Sequence, residues 1–415
     1  MKRRNSFKFY FLLLAGAATL AAKNGSIEIA DPALEPVAPI LEPSAKYSPI
    51  ARGFQGIPGL ALSPGGTLWA VWYAGGSGEG AENYIVSAKS EDDGKTWSEP
   101  QFVVDPPGAV RAYDPVPWTD PQGRLWIFYS QSFGWWDGRA GVWAITTDDP
   151  DQESPHWSPP RRFADGIMMN KPTVRQDGTW LLPVAIWPIE PELGQLSDLE
   201  RQVMQQHIHW SPENVGAHAY LSTDNGVSFT KLGTATAADV RHQEHMFVER
   251  GDRTVWMLIR TLYGIAESVS LDGGQSWTPG EPSSIPHVPS RFFIRRLESG
   301  RLLMVKHNPR LDTAWLSRRS LSETVKNRTH LTAYLSDDDG MTWRGGLVLD
   351  ERLAVSYPDG DQAADGSIYI IYDYNRHTDG EILMARFTEE DVLAGEIVTP
   401  ESALRILVSK TSSFQ

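Results

Sequence analysis

The sequence predicts an all-β fold: a six-bladed β-propeller with tight acidic turns and one short helical insertion. Three observations predict it. An octapeptide of the form Ser-x-Asp-x-Gly-x-x-Trp recurs along the chain, strand-like runs flank each copy, and 36 Gly, 29 Pro and 16 Trp suit many short strands joined by tight turns.

The octapeptide is complete at residues 90–97 (SEDDGKTW), 270–277 (SLDGGQSW) and 336–343 (SDDDGMTW). A fourth copy at 222–229 (STDNGVSF) carries Phe229 in the Trp position, and a degraded fifth lies at 147–157, where an insertion separates the acidic turn from Trp157. The Asp side chain is expected to bond backbone amides two residues on, and Gly to supply the positive φ of the turn. Strand-like runs at 68–73, 125–129, 255–259, 302–306 and 367–372 often open on Gly-x-Leu or Gly-x-Ile, the pattern of a hairpin returning into a sheet. Counted with the turns, these inner strands make six units, enough to close a ring. The same turn serves every blade, so it is expected to be structural.

Flanking segments read differently. Residues 1–22 carry a basic start (Lys2, Arg3, Arg4, Lys8) and a short apolar run ending in small residues, the pattern of a signal peptide cleaved near Ala21 or Ala22. An uncleaved anchor is the alternative. Residues 23–48 read as a linker, 49–400 as the propeller and 401–415 as a C-terminal tail. The expected location is periplasmic or extracellular in a bacterium, with no membrane attachment after cleavage. Residues 195–210 have helical Leu, Val and Met spacing and interrupt the repeats; His207 and His209 there lack an acidic partner at ligand spacing.

Composition narrows the chemistry. The chain has no cysteine, which excludes disulfides, thiolate metal sites and a Cys nucleophile. A formal charge of −14 argues against nucleic acid or an anionic membrane as the main partner. No cofactor and no metal are expected; Trp-rich loops suit a glycan partner.

From about Arg52 to Gly395 the chain resembles the sialidase (neuraminidase) superfamily. The resemblance rests on the recurring turns and on four stretches in the family's order: FQGIPGLAL (54–62), EHMFVERGDRTVWMLIRT (244–261), NRTHLTAYLSDDDG (327–340) and VSYPDGDQAADGSIYIIYD (355–373). It implies an exo-glycosidase that retains anomeric configuration through a tyrosine nucleophile. A carboxylate on the anomeric carbon would repel a carboxylate nucleophile, so a neutral phenol attacks, with a glutamate as its base. The resemblance assigns Tyr357 as nucleophile and Glu244 as base. The acid comes from the loop before the first turn, where Glu79, between two glycines, is the first choice and Glu82 the second.

The family also implies three arginines on the substrate carboxylate. Arg260 and Arg328 match two. Gly56 stands where the first should precede Ile57-Pro58, with Gln55 beside it, and Lys171 or Arg139 is a candidate for the lost charge. Asp114 and the cluster Trp135, Trp136, Asp137 and Arg139 are candidates to line a sugar pocket; Asp373 and Arg376 read equally well as a local ion pair. Two other functions stay open: hydrolysis of a non-sialic acidic sugar, and a non-catalytic glycan-binding propeller.

Overall fold

The computed structural model describes residues 22–23, 26–27, 32–133, 140–187, 211–308 and 327–412. Six antiparallel sheets follow one another along the chain, and each is a blade. Their first strands are Gln55–Leu62, Val110–Thr119, the paired fragments Ile167–Met168 and Thr173–Val174, then Met246–Glu249, Phe293–Arg296 and Val355–Gln362. These strands lie against one another around the axis, and that of blade six meets that of blade one to close the ring. Each first strand is the inner edge of its own sheet, and the radial arrangement keeps these edges short and protected around the axis.

The five runs read from sequence as inner strands are the second strands of blades one, two, four, five and six. Leu68–Ala74 and Val255–Thr261 are buried at every residue, because both faces are covered by neighbouring blades. Each of the six junctions between blades holds its own apolar cluster, such as Trp118, Trp126, Phe128 and Trp180 between blades two and three. A buried Val, Leu or Phe contributes roughly 1.5–3 kcal/mol, so the junctions dominate the stability.

The acidic turns join the third and fourth strands. In the first, Gly94 N–H donates to Ser90 Oγ at 2.9 Å and Thr96 N–H to Asp92 Oδ1 at 2.9 Å. The carboxylate thus reaches an amide four residues on, further than the two-residue turn expected. Equivalent bonds hold Asp224, Asp272 and Asp338. The degraded copy preserves the logic: Asp149 Oδ1 accepts from His156 N–H at 2.9 Å across the insertion, and Trp157 packs on Trp69 and Phe102.

Blade six closes differently. A short helix, Glu389–Ala394, follows its third strand, held by a reciprocal cap between Thr388 and Asp391. Residues 401–415 are therefore not simply a tail, since Ala403–Lys410 is the outer strand of blade six. The signal-like segment up to Ala21, the helix expected at 195–210 and the loop 134–139 lie outside the described residues.

Strand register fixes which face can carry a site. In blade one, Gln55 pairs with Ala74 and Ala74 with Tyr84, whereas Leu68 pairs with both Leu62 and Ser90. The acidic turns start from the Ser90 end. The loops joining second to third strands, and the entries to first strands, lie at the other end. Glu79, Glu244, Arg260, Arg328, Tyr357 and Arg376 all belong to that opposite face.

Candidate active site

The first strands of blades one, two and six share a bulge. Register slips between Gly56 and Gly59, between Tyr113 and Val116, and between Ser356 and Asp359. At each bulge the residue before a proline takes a left-handed conformation: Ile57 at φ 52°, Asp114 at φ 50° and Tyr357 at φ 56°. Branched or bulky residues avoid this region, so each costs on the order of 1–3 kcal/mol and must be held by its surroundings. Part of the hold is visible. Asp373 accepts from Ile57 N–H at 2.9 Å and from Ser356 Oγ at 2.7 Å, tying blade six to blade one. A bulge of this kind re-aims a side chain, here toward the mouth of the axis.

Tyr357 reaches from blade six to blade four. Its hydroxyl lies 3.4 Å from Glu244 Oε1 and accepts from Arg260 Nη1 at 3.3 Å. Arg260 also pairs closely with the same carboxylate oxygen. Glu244 Oε2 is buried with no hydrogen-bond partner among the described residues. The structure brings Tyr357, Glu244, Arg260 and Arg328 together in a single cluster.

Arg328 is the unbalanced member. Arg260 is paired with Glu244, and Arg376 with Glu79 at 2.8 Å and Asp373 at 3.6 Å. Among the described residues Arg328 bonds only the Pro289 carbonyl, at 3.3 Å, and its Nε and Nη1 are buried without partners there. Its guanidinium stands 5.2 Å from the Tyr357 ring centre. Burial lowers its pKa, as do Arg260 and Arg376, although Tyr357 opposes them. Idle donors on a buried cation are suited to receive an anion. A cavity of about 180 Å³ lined by Arg241, His242, Arg260, Thr261, Leu262 and Arg328 opens there. Burial, reinforced by Arg260, Arg241 and Arg328, holds the His242 pKa far below its ordinary value, so that imidazole is neutral.

The two acidic candidates separate. Burial alone pushes the Glu79 pKa up, but Arg376, followed by Arg111, His377 and Arg328, outweighs it and keeps the carboxyl below its ordinary range. Glu79 is therefore held ionised and is poorly suited to donate a proton at neutral pH. Asp114 is the reverse. Burial pushes its pKa up to about 7; Arg111 and Arg291 oppose the shift, and the nearby Glu79 and Glu244 carboxylates support it. Glu82 is exposed and folds back on Gly76 of its own loop.

Two expected contributors are not brought to the phenol. Gln55 is fully buried and spent on structure: its Oε1 accepts from Arg52 and Trp72, both at 3.0 Å, and its Nε2 donates to Gly380 O at 2.7 Å. Lys171 pairs closely with Asp359 and donates to Leu60 O at 2.7 Å. Burial lowers its pKa despite that partner. Asp359 also accepts from Arg291 at 3.2 Å and Leu60 N–H at 2.9 Å, linking blades one, three, five and six. Asp359→Asn strands two buried cations and is expected to cost about 3–5 kcal/mol, measured as a lower guanidinium midpoint with an unchanged slope. Arg139 lies outside the described residues. A second cavity, of about 330 Å³, lies beside Lys171 and Asp359 and is bordered by none of the cluster around Tyr357.

A phenol–glutamate pair among buried arginines at the mouth of a six-bladed ring defines a sialidase-like β-propeller. The chain belongs to the family described as BNR repeat-like domain, which it matches over residues 66–370. It is 25% identical to a sialidase from Micromonospora viridifaciens over 405 residues, 90% of this chain but 58% of that protein, so it spans under two-thirds of that relative. Among solved structures it resembles the intramolecular trans-sialidase from Ruminococcus gnavus at a TM-score of 0.57 and 14% identity, covering 86% of this chain and 98% of that one. A protein of unknown function from Dyadobacter fermentans gives a TM-score of 0.58 at 17% identity, covering 83% and 96% respectively. At these identities the structural likenesses establish the fold.

Proposed function

We propose that the protein is an exported, retaining exo-glycosidase that removes a terminal sugar carrying a carboxylate at or beside its anomeric carbon. The observation that carries this reading is Arg328, a buried cation with idle donors facing the ring of a phenol that is itself paired with Glu244. A carboxylate on Arg328 sets the neighbouring anomeric carbon before the Tyr357 hydroxyl. Tyr357 Oη bonds to that carbon while its proton passes to Glu244, and the glycosidic bond breaks with its electrons going to the leaving oxygen. Asp114 protonates that oxygen. In the second step Asp114 takes a proton from water, the hydroxide displaces the phenolate, and Glu244 returns the proton to Tyr357. Two displacements retain configuration.

A site serving only to bind glycan has little use for a buried phenol and carboxylate sharing one arginine. The reading agrees with the Micromonospora viridifaciens relative being a sialidase. The test is hydrolysis of 4-nitrophenyl glycosides of sialic acid, its deaminated analogue, uronic acids and rhamnose, with the first-formed anomer followed by proton NMR. The expected result is turnover of a carboxylate-bearing glycoside with retained configuration. Inverted product, or turnover of neutral sugars alone, sinks the mechanism; tight binding without turnover makes the protein a glycan-binding propeller.

A further inference from the structure

Three guanidinium groups meet at the Tyr357 side chain, and one has no counterpart among the arginines the sequence singled out for the carboxylate. Arg376, in the loop after the second strand of blade six, places its guanidinium carbon 4.8 Å from the Tyr357 ring centre, beside Arg328 at 5.2 Å. Arg260 reaches the hydroxyl of the same residue from blade four. The Nε of Arg376 is buried without a partner.

The room for Arg376 comes from Gly56. A Cβ at position 56 would stand 2.6 Å from Arg376 Cδ, closer than real contacts allow, and a tight 3.0 Å from its Cβ. Position 56 and Arg376 therefore compete for one space. A side chain at 56 excludes Arg376 from its present path, and glycine admits it. Glu79 and Asp373 then fix the guanidinium, with one contact from the blade-one loop and one from its own blade.

We propose that Arg376 is the third arm of the carboxylate clamp, supplied from blade six in place of an arginine on the first strand of blade one, and that Glu79 is its positioning residue. This rests on the reading of the site as one for a carboxylate-bearing sugar. It gives Gly56 a function: the glycine does not weaken the clamp, it makes room for an arm arriving from the next blade. It also accounts for a Glu79 kept ionised beside Arg376, since a fixed counter-charge holds the guanidinium plane in one orientation.

The probe is 2-deoxy-2,3-didehydro-N-acetylneuraminic acid, with its uncharged methyl ester as control, each titrated calorimetrically against the wild type and variants. Wild type is expected to prefer the acid. Arg376→Gln is expected to weaken the acid by about 10- to 100-fold and to leave the ester within about threefold. Gly56→Ala keeps the arginine but crowds its Cδ and Cβ and, at 3.2 Å, Asp373 Oδ2, so it is expected to show the same selective loss together with a lowered melting temperature. The double variant G56R/R376G, which moves the arm back to blade one, is expected to recover most of the acid affinity. If Arg376→Gln and Gly56→Ala bind the acid as tightly as wild type, Arg376 is only a structural ion-pair partner and the proposal falls alone. If wild type binds neither compound, the carboxylate reading of the site falls and takes the proposal with it.

Discussion

Tyr357→Phe is expected to lower kcat/KM on the preferred aryl glycoside by on the order of 10³-fold or more, the scale seen when a nucleophile is removed from a group that acts as a unit. The substitution deletes one oxygen. The ring that faces Arg328 and Arg376 stays, and so does the carboxylate of Glu244 on Arg260. Affinity for a non-hydrolysable carboxylate analogue should therefore change by less than about tenfold. This split between turnover and binding distinguishes a nucleophile from a packing residue, whose loss would lower both through a misplaced clamp. Trapping a labelled tyrosyl adduct with a fluorinated substrate, located at Tyr357 by peptide mass, is the direct check. A Phe variant with wild-type turnover removes Tyr357 from the chemistry.

The ring was legible because its cues are local and repeated. Each acidic turn is a short peptide whose Ser, Asp and Gly make their own bonds, and no distant contact is needed to read it. Strand order was less legible. The second strands, buried on both faces, give the strongest apolar runs and so looked innermost, whereas the true inner strands carry Gly, Pro and charged residues because they line the axis. Ala403–Lys410 read as tail because an outer strand alternates in exposure and lacks a flanking turn of the repeated kind. A helix capped by Thr388 and Asp391 stands where that turn would be.

Within the site, Tyr357, Glu244, Arg260 and Arg328 were readable from segments that resemble a known family. Arg376 was not, since its role depends on a glycine 320 residues away in sequence but adjacent across the junction of blades six and one. Lys171 illustrates the converse. The sequence offers it as a candidate for the positive charge missing at Gly56, and its partner proves to be Asp359 on another blade. One sequence signal was present and unused. Ile57-Pro58, Asp114-Pro115 and Tyr357-Pro358 are the same bulge in three blades, so the dipeptide repeat itself marks Asp114 as the blade-two counterpart of Tyr357.

That equivalence leads to the second large effect. With a pKa near 7, Asp114 is largely protonated in mildly acidic solution and loses its proton as the pH rises. A general acid must hold its proton, so kcat/KM should fall above about pH 7, and Asp114→Asn should remove that alkaline limb. The loss should depend on the leaving group. On a natural glycoside, whose sugar alkoxide needs a proton, it should be about 10²- to 10⁴-fold; on a 4-nitrophenyl glycoside, whose phenolate departs unaided, it should be far smaller. Stability carries the same sign. A carboxyl whose folded pKa lies above its unfolded value contributes stability at low pH that is lost as pH rises through the folded value, so Asp114→Asn should be more stable relative to wild type at pH 8 than at pH 5. Glu79→Gln should behave differently, raising KM for acidic substrates through Arg376 without leaving-group dependence. If the dependence follows Glu79 and spares Asp114, the proton comes from the blade-one loop, and Asp114 is left as a contact for the sugar.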